Sequence, residues 1–159
     1  MSAPANAAYL GGEPSTPSRF LFEVDGVEIG IFASVSGLAV SSTTEDITEG
    51  GQNGFVHKLP GRFSWPNIVF KRGMTQADAL FDWMQKTSGD GFAANNNAVT
   101  RTTGAITAIA SNGDRIRSWN LEAVLPVRWK WPDFDVGTNA VLSEELEICH
   151  HGFRSVTPS

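Results

Sequence analysis

Near the C-terminus, Glu144, Glu147, Cys149, His150 and His151 are side chains of the types that do chemistry. Paired carboxylates run general acid–base hydrolysis, a thiol beside an imidazole makes a nucleophile, and histidines with a thiolate hold zinc. Their spacing works against all three. Successive strand residues point to opposite faces, so His150 diverges from His151 and Glu144 from Glu147, although Glu122 remains a possible carboxylate partner. Cys149 shares a face with His151 but not with its neighbour His150, and His57 stands on a distant segment. Packed or partly exposed strand residues are the ordinary reading of the group.

Phosphate and nucleic-acid chemistry fare no better. Gly51 to Lys58 sets glycines ahead of a lysine, but not at the G-x-x-x-x-G-K-[ST] spacing, and Leu59 follows Lys58. The dinucleotide, zinc-protease and nucleophile-elbow signatures are missing. Arg128-Trp129-Lys130-Trp131 interleaves basic and aromatic residues as single-strand binders do, yet both tryptophans fall on the apolar parity of a long strand. The net charge of −5 and pI near 5.1 also argue against a phosphate-gripping surface. No catalytic residue, metal ligand or cofactor is expected.

The elements that position these residues read mostly as strands. With 159 residues, 41% apolar and 18% charged, the chain suits one domain with a buried core. One cysteine permits neither an internal disulfide nor a Cys-rich zinc site. No apolar run approaches the ~20 residues of a membrane span, so no membrane anchoring is expected. Residues 1–19, rich in Ala, Pro, Ser and Gly, lack the basic and apolar regions of a secretory signal and read as a flexible tail.

Phe20 to Asp25 and Val27 to Ile31 form a hairpin about Asp25-Gly26. Ser41 to Thr48 has β-branched propensity but hardly any apolar side chains, as in a strand with one or both faces wet. Glycine-rich residues 49–54 join it to Phe55 through Leu59, ahead of Pro60-Gly61, so 41–61 reads as a long hairpin arm. Ile68 to Arg72 is another strand. Thr75 and Asp78 cap a helix over about 75–87, with Ala77, Leu80, Phe81 and Met84 as its apolar stripe and Trp83 at the margin. Asp90 to Thr103 reads as loop.

Asn112-Gly113 predicts a second hairpin. After it, Trp119, Leu121, Ala123, Leu125, Val127, Trp129 and Trp131 share one parity, predicting a long strand with a single buried face. Ala140, Leu142, Leu146 and Ile148 make a last strand whose face is interrupted by Glu144, a carboxylate that needs a partner or water. Seven or eight strands with one inserted helix give a mainly β (α+β) chain, an antiparallel barrel or sandwich. The expected organisation is a tail at 1–19, one barrel domain at 20–153 and a short tail at 154–159.

Separated segments carry a further signal. They are Phe22-x-Val24-Asp25-Gly26 with Gly30-x-Phe32 and Val35-Ser-Gly-Leu38; Glu49-Gly-Gly-x-Asn53 with Lys58-Leu-Pro-Gly61; and Lys71-Arg-Gly73 with Leu80-x-x-Trp83. Trp119 with Pro126, and Glu144-x-Leu146-Glu147-Ile148-x-His150-x-Gly152-Phe153, complete the set. In order and spacing this chain resembles the tail tube proteins of contractile-tailed bacteriophages and contractile injection systems over about 20–153. The pairing of Glu-Gly-Gly-x-Asn with Lys-Leu-Pro-Gly in one arm is the specific part.

The resemblance implies a structural protein and no enzyme. Its subunits would form homohexameric rings stacked into a hollow conduit, driven through a target envelope when a surrounding sheath contracts. The implied partners are further copies of the chain, the contractile sheath protein, baseplate or tube-initiator proteins, a tape-measure protein, and DNA or protein cargo in the lumen. Assembly would take place in the cytoplasm, within a phage tail or a particle released outside the cell.

On this resemblance Glu49, Gly50, Gly51, Asn53, Gly54, Lys58, Leu59, Pro60 and Gly61 would contact a neighbouring subunit or ring. Ser41, Ser42, Thr43, Thr44, Glu45, Asp46 and Thr48 would face the lumen, and Lys58 and Arg72 would meet acidic groups across interfaces. The tail before Phe20 and the Trp-rich stretch from Arg128 to Gly137 depart from the family pattern, which keeps a tube-initiator ring at the baseplate as an alternative. A small β-barrel hydrolase using Glu144 and His150, and a carbohydrate- or peptide-binding module using the tryptophans, are the readings from other classes.

Overall fold

A computed structural model describes residues 16–48, 50–51, 54–73, 78–87, 93, 96, 101–132, 137 and 142–156. Among them the chain forms ten strands and one helix: β1 (Arg19–Val24), β2 (Val27–Phe32), β3 (Ser34–Ser36), β4 (Ser41–Ile47), β5 (His57–Ser64), β6 (Ile68–Gly73), α1 (Ala79–Thr87), β7 (Thr102–Ile109), β8 (Arg115–Lys130), β9 (Ser143–Cys149) and β10 (Phe153–Val156). All pairings are antiparallel. The main sheet runs β2-β1-β7-β8-β9-β6-β3, with β10 also on β8, while β4 and β5 make a sheet of their own.

The main sheet folds over on itself like a sandwich, and β8 is the strand common to both layers. Its first part pairs with β7 and β10, and its part from Leu125 pairs with β9. The crossing point is a bulge beside Ala123, which sits at φ 53°. β2 and β3 end the strand path without pairing to each other, so the barrel expected as one option is not closed by hydrogen bonds. Ala33 between them donates its N–H to Lys71 O at 2.8 Å, pinning that corner.

Between the layers lies an aromatic core. Phe22 on β1 meets Phe70 on β6 at 4.6 Å between ring centroids, and Phe70 meets Phe32 at 5.0 Å. Ile68, Ile106, Val124, Leu146 and Ile148 complete it at full burial. Full burial of such side chains contributes about 1.5–3 kcal/mol each.

The turns follow the sequence closely. Asp25 and Gly26 both take positive φ, 50° and 77°, the two-residue turn whose twist matches a hairpin. Asn112 closes the other hairpin by accepting from the Asp114 N–H at 3.0 Å.

Three expectations need correction. β8 does not have one buried face: its bulges break the alternation, so Val124 is buried and Val127 is exposed. In α1 the buried pair is Leu80 and Trp83, and Phe81 turns outward against Trp129 at 5.5 Å. Residues 154–156, expected as tail, belong to β10. Thr75 and Ala77, Ala140, residues 1–15 and residues 157–159 lie outside the described residues, as does most of 90–103.

Candidate functional site

Of the side chains with catalytic potential, Glu144, Glu147 and His150 are engaged in contacts within the fold. Glu144 points inward from β9, 2% exposed, and accepts from Arg72 Nε on β6, the residue directly opposite it in register. Trp129 Nε1 donates to its other oxygen at 3.3 Å. Arg72, 5% exposed, also lies 5.1 Å above the centroid of the Phe32 ring. The partner that Glu144 required is therefore internal, and Arg72 meets its acid within the same chain, correcting its expected place at an interface.

His150 follows β9 at its far end, roughly 20 Å from Glu144 at ~3.3 Å per strand residue, so the structure does not bring the pair into one cleft. Its Nδ1 accepts from the Gly152 N–H at 3.1 Å, and its Nε2 lies 3.2 Å from Pro66 O. The neutral ring with its proton on Nε2 satisfies both. Glu147 faces outward to Asn67 Nδ2 at 3.0 Å and Arg128 Nε at 3.3 Å. Cys149 is a half-buried free thiol, His151 and Glu122 are exposed, and the described residues contain no group of three metal-ligating side chains.

Beside Glu147, Glu145 bonds Lys71 Nζ at 3.0 Å, which holds its carboxyl below the usual carboxylate range. Desolvation opposes that effect, and the charges of Lys71, Lys130 and Arg128 add smaller contributions in its favour. Trp129 and Trp131 meet edge to face at 5.3 Å and Phe81 tilts against Trp129, which is aromatic packing and no stacked platform for bases.

The arm is different in kind. Every residue of β4 and β5 is exposed, and among the described residues these strands pair only with each other. Opposite residues share a face, so Ile47 with His57 and Glu45 with Leu59 line one side, and Asp46 with Lys58 and Thr44 with Pro60 the other. Phe55 packs on His57 at 4.9 Å and extends the first side toward the tip. A bulge then places Phe63, paired with Ser42, on the Asp46–Lys58 side. Gly61 sits in that bulge, where a Cβ would collide with Thr43 backbone and hydroxyl, so the position demands glycine. Phe63 is 70% exposed and Phe55 58%.

The structure places both groups on the one hairpin that the sequence predicted over 41–61. Ser41, Ser42, Thr43, Thr44, Glu45 and Asp46 are β4, Thr48 follows it, and Lys58, Leu59, Pro60 and Gly61 belong to its partner β5. Gly51 lies at the tip with φ 99°, near Gly50 and Gly54, while Glu49 and Asn53 lie outside the described residues. Missed in the sequence was the apolar load that β5 and the tip carry. Its signal was Phe55, Val56, Leu59 and Phe63 following a Gly-rich link with no apolar partner on β4 except Ile47.

Comparison with known proteins agrees with this geometry. The profile of the family described as T4-like virus tail tube protein gp19 matches residues 16–154. No curated protein matches. A solved chain of the sheath-tube complex of an extracellular contractile injection system, PVC, in its extended state superposes with TM-score 0.75 at 23% identity, covering 99% of this chain and 100% of that one. A chain of the anti-feeding prophage baseplate gives TM-score 0.70 at 24% identity over 99% of this chain and 98% of that one. The tube terminator of the PVC particle gives 0.73 at 24%, over 91% and 98%. At these identities the likeness establishes the fold.

Proposed function

The chain belongs to the T4-like virus tail tube protein family, and from that membership we propose that it is the inner tube subunit of a contractile particle. Its copies close into hexameric rings by pairing exposed sheet edges and stack into a hollow conduit, which contraction of a surrounding sheath drives through a target envelope. The observation that carries this reading is the arm: a hairpin that displays Phe55, Leu59 and Phe63 to solvent and pairs with no other strand among the described residues offers a surface for a neighbouring copy.

In the proposed assembly the tip and β5 (Gly50, Gly51, Gly54, Lys58, Leu59, Pro60 and Gly61, with Glu49 and Asn53) meet the next subunit or ring. Ser41 to Asp46 and Thr48, on the other strand of the same hairpin, face the lumen. Sheath, baseplate and tape-measure proteins are the other proposed partners, with DNA or protein as cargo. An initiator ring at the baseplate is the second reading, favoured by the exposed Trp131 beside Trp129, outside the family pattern.

Light-scattering mass with negative-stain electron microscopy of the purified chain tests the proposal. The expected result is sixfold rings near six copies of 17.1 kDa, about 103 kDa, or tubes built from them. Single rings that do not stack would favour the initiator, and a monomer at every concentration would contradict both.

A further inference from the structure

The β7–β8 hairpin turns on a pair of residues that can react with each other. Asn112-Gly113 lies at its tip, with Ser111, Asn112, Gly113 and Asp114 all exposed. In such a pair the glycine's backbone nitrogen, with no Cβ to hinder its approach, can attack the asparagine carboxamide. A bond forms from Gly113 N to Asn112 Cγ as the Cγ–Nδ2 bond breaks, and the Gly113 N–H proton leaves with that nitrogen as ammonia. Water then opens the cyclic imide at either carbonyl, giving an aspartate or its isomer with the backbone routed through Cγ.

The fold ties both reacting groups elsewhere. Gly113 donates its N–H to Ala110 O at 3.0 Å, and the Ala110 N–H closes the turn on Asp114 O at 2.9 Å. Gly113 takes φ 94° while Asn112 stays at negative φ, the arrangement of a type I turn followed by a left-handed glycine. The carboxamide is held at both ends by the residue two positions on: Asn112 Oδ1 accepts from the Asp114 N–H at 3.0 Å, and Nδ2 donates to Asp114 Oδ2 at 2.8 Å. Attack needs aligned atoms about 3–3.5 Å apart, and a misplacement of about 1 Å can cost about 10²-fold in rate. The turn reaches that alignment only by releasing the Gly113 amide from Ala110 and the carboxamide from Asp114.

We propose that Asn112 is a site of spontaneous deamidation and that the Asp114 side chain guards it in the folded chain. Of these bonds, the one from Asn112 Nδ2 to Asp114 Oδ2 is the only one made by two side chains, so a substitution removes it while the backbone bonds of the turn stay. The product defeats the guard. Where Nδ2 donated, a second carboxylate oxygen stands against Asp114 at hydrogen-bond distance, and the two like charges repel. Conversion therefore loosens the turn as it adds a negative charge to the hairpin tip. This inference stands apart from the tube reading.

Mass spectrometry tests it. Cleavage at Arg101 and Arg115 releases residues 102–115, in which Asn112 is the single asparagine, and deamidation makes that peptide heavier by about 1 Da. At mildly alkaline pH the folded wild type is expected to convert at least about tenfold more slowly than the same chain in guanidinium chloride. Asp114→Ala, at an exposed position, is expected to convert several-fold faster than the wild type with an unchanged circular dichroism spectrum. Asp114→Asn, whose amide oxygen still accepts from Asn112 Nδ2, is expected to keep the wild-type rate, with fragment ions assigning the mass change to position 112. A folded wild type that converts as fast as the denatured chain would overturn the guarding. So would an Asp114→Ala chain no faster than the wild type, or an Asp114→Asn chain as fast as Asp114→Ala. A denatured chain that never converts would overturn the site itself.

Discussion

β6 and β5 are strands of similar length with opposite fates. In β6, Ile68 and Phe70 are fully buried and Lys71 is exposed, the alternation of a strand with one face in a core. In β5, Leu59 and Phe63 are as apolar, yet every residue is exposed. The difference lies in what stands opposite: β6 faces β1 and β9 side chains of matching size, whereas β5 faces Ser, Thr and Glu on β4. A two-stranded hairpin with nothing beneath it is marginal in water, so the sandwich carries the stability of the fold and the arm adds little of its own.

The strongest way to break this contrast is at the buried ion pair. Glu144→Ala leaves the Arg72 charge buried without its counterion and is expected to lower stability by about 3–5 kcal/mol, read by denaturant unfolding. The contrast is sharpened by matched truncations: Ile68→Ala on β6 is expected to cost about 2–5 kcal/mol, and Leu59→Ala on β5 within about 0.5 kcal/mol. Equal costs would mean that the arm is part of the sandwich's cooperative unit.

Phe55→Ser with Phe63→Ser should leave the unfolding midpoint nearly unchanged while lowering the assembled fraction in sedimentation, since both rings are exposed. The smallest effect belongs to the outer charge ladder. Lys71→Ala removes the main cause holding the Glu145 carboxyl low, so its titration, followed by NMR, moves up toward the usual carboxylate range. A depressed folded-state value adds stability above the unfolded-state value and loses it as pH falls through the folded one. The variant should therefore show a slightly weaker loss of stability on acidification.

Local signals in the sequence led to correct elements where chemistry is local. Asp25-Gly26 and Asn112-Gly113 announce their turns through the φ values they tolerate, and the alternation of Leu146 and Ile148 announces a core strand. Glu144 on that same face also announced the need for a partner or water. That the partner is Arg72, 72 positions away, follows only from the β6–β9 register, which no single strand's pattern contains.

The same limit explains β8. Bulges near Ala123 and Val127 reset which side chains face inward, and they arise from pairing with two different strands. The arm was legible as a hairpin from its Gly-rich link, but not its apolar side, because burial alternation supplies no clue for a hairpin with neither face against the core. Nor does any pattern flag Trp83 Nε1, which has no hydrogen-bond partner among the described residues.

The most direct measurement compares the wild type with a chain in which residues 44–60 are replaced by a short Gly-Ser turn, recording mass by light scattering and stability by denaturant unfolding on the same samples. An unchanged unfolding midpoint with loss of all assembly is the predicted result. Full assembly without the arm, or a sandwich that no longer folds, would contradict the division of labour between the two regions.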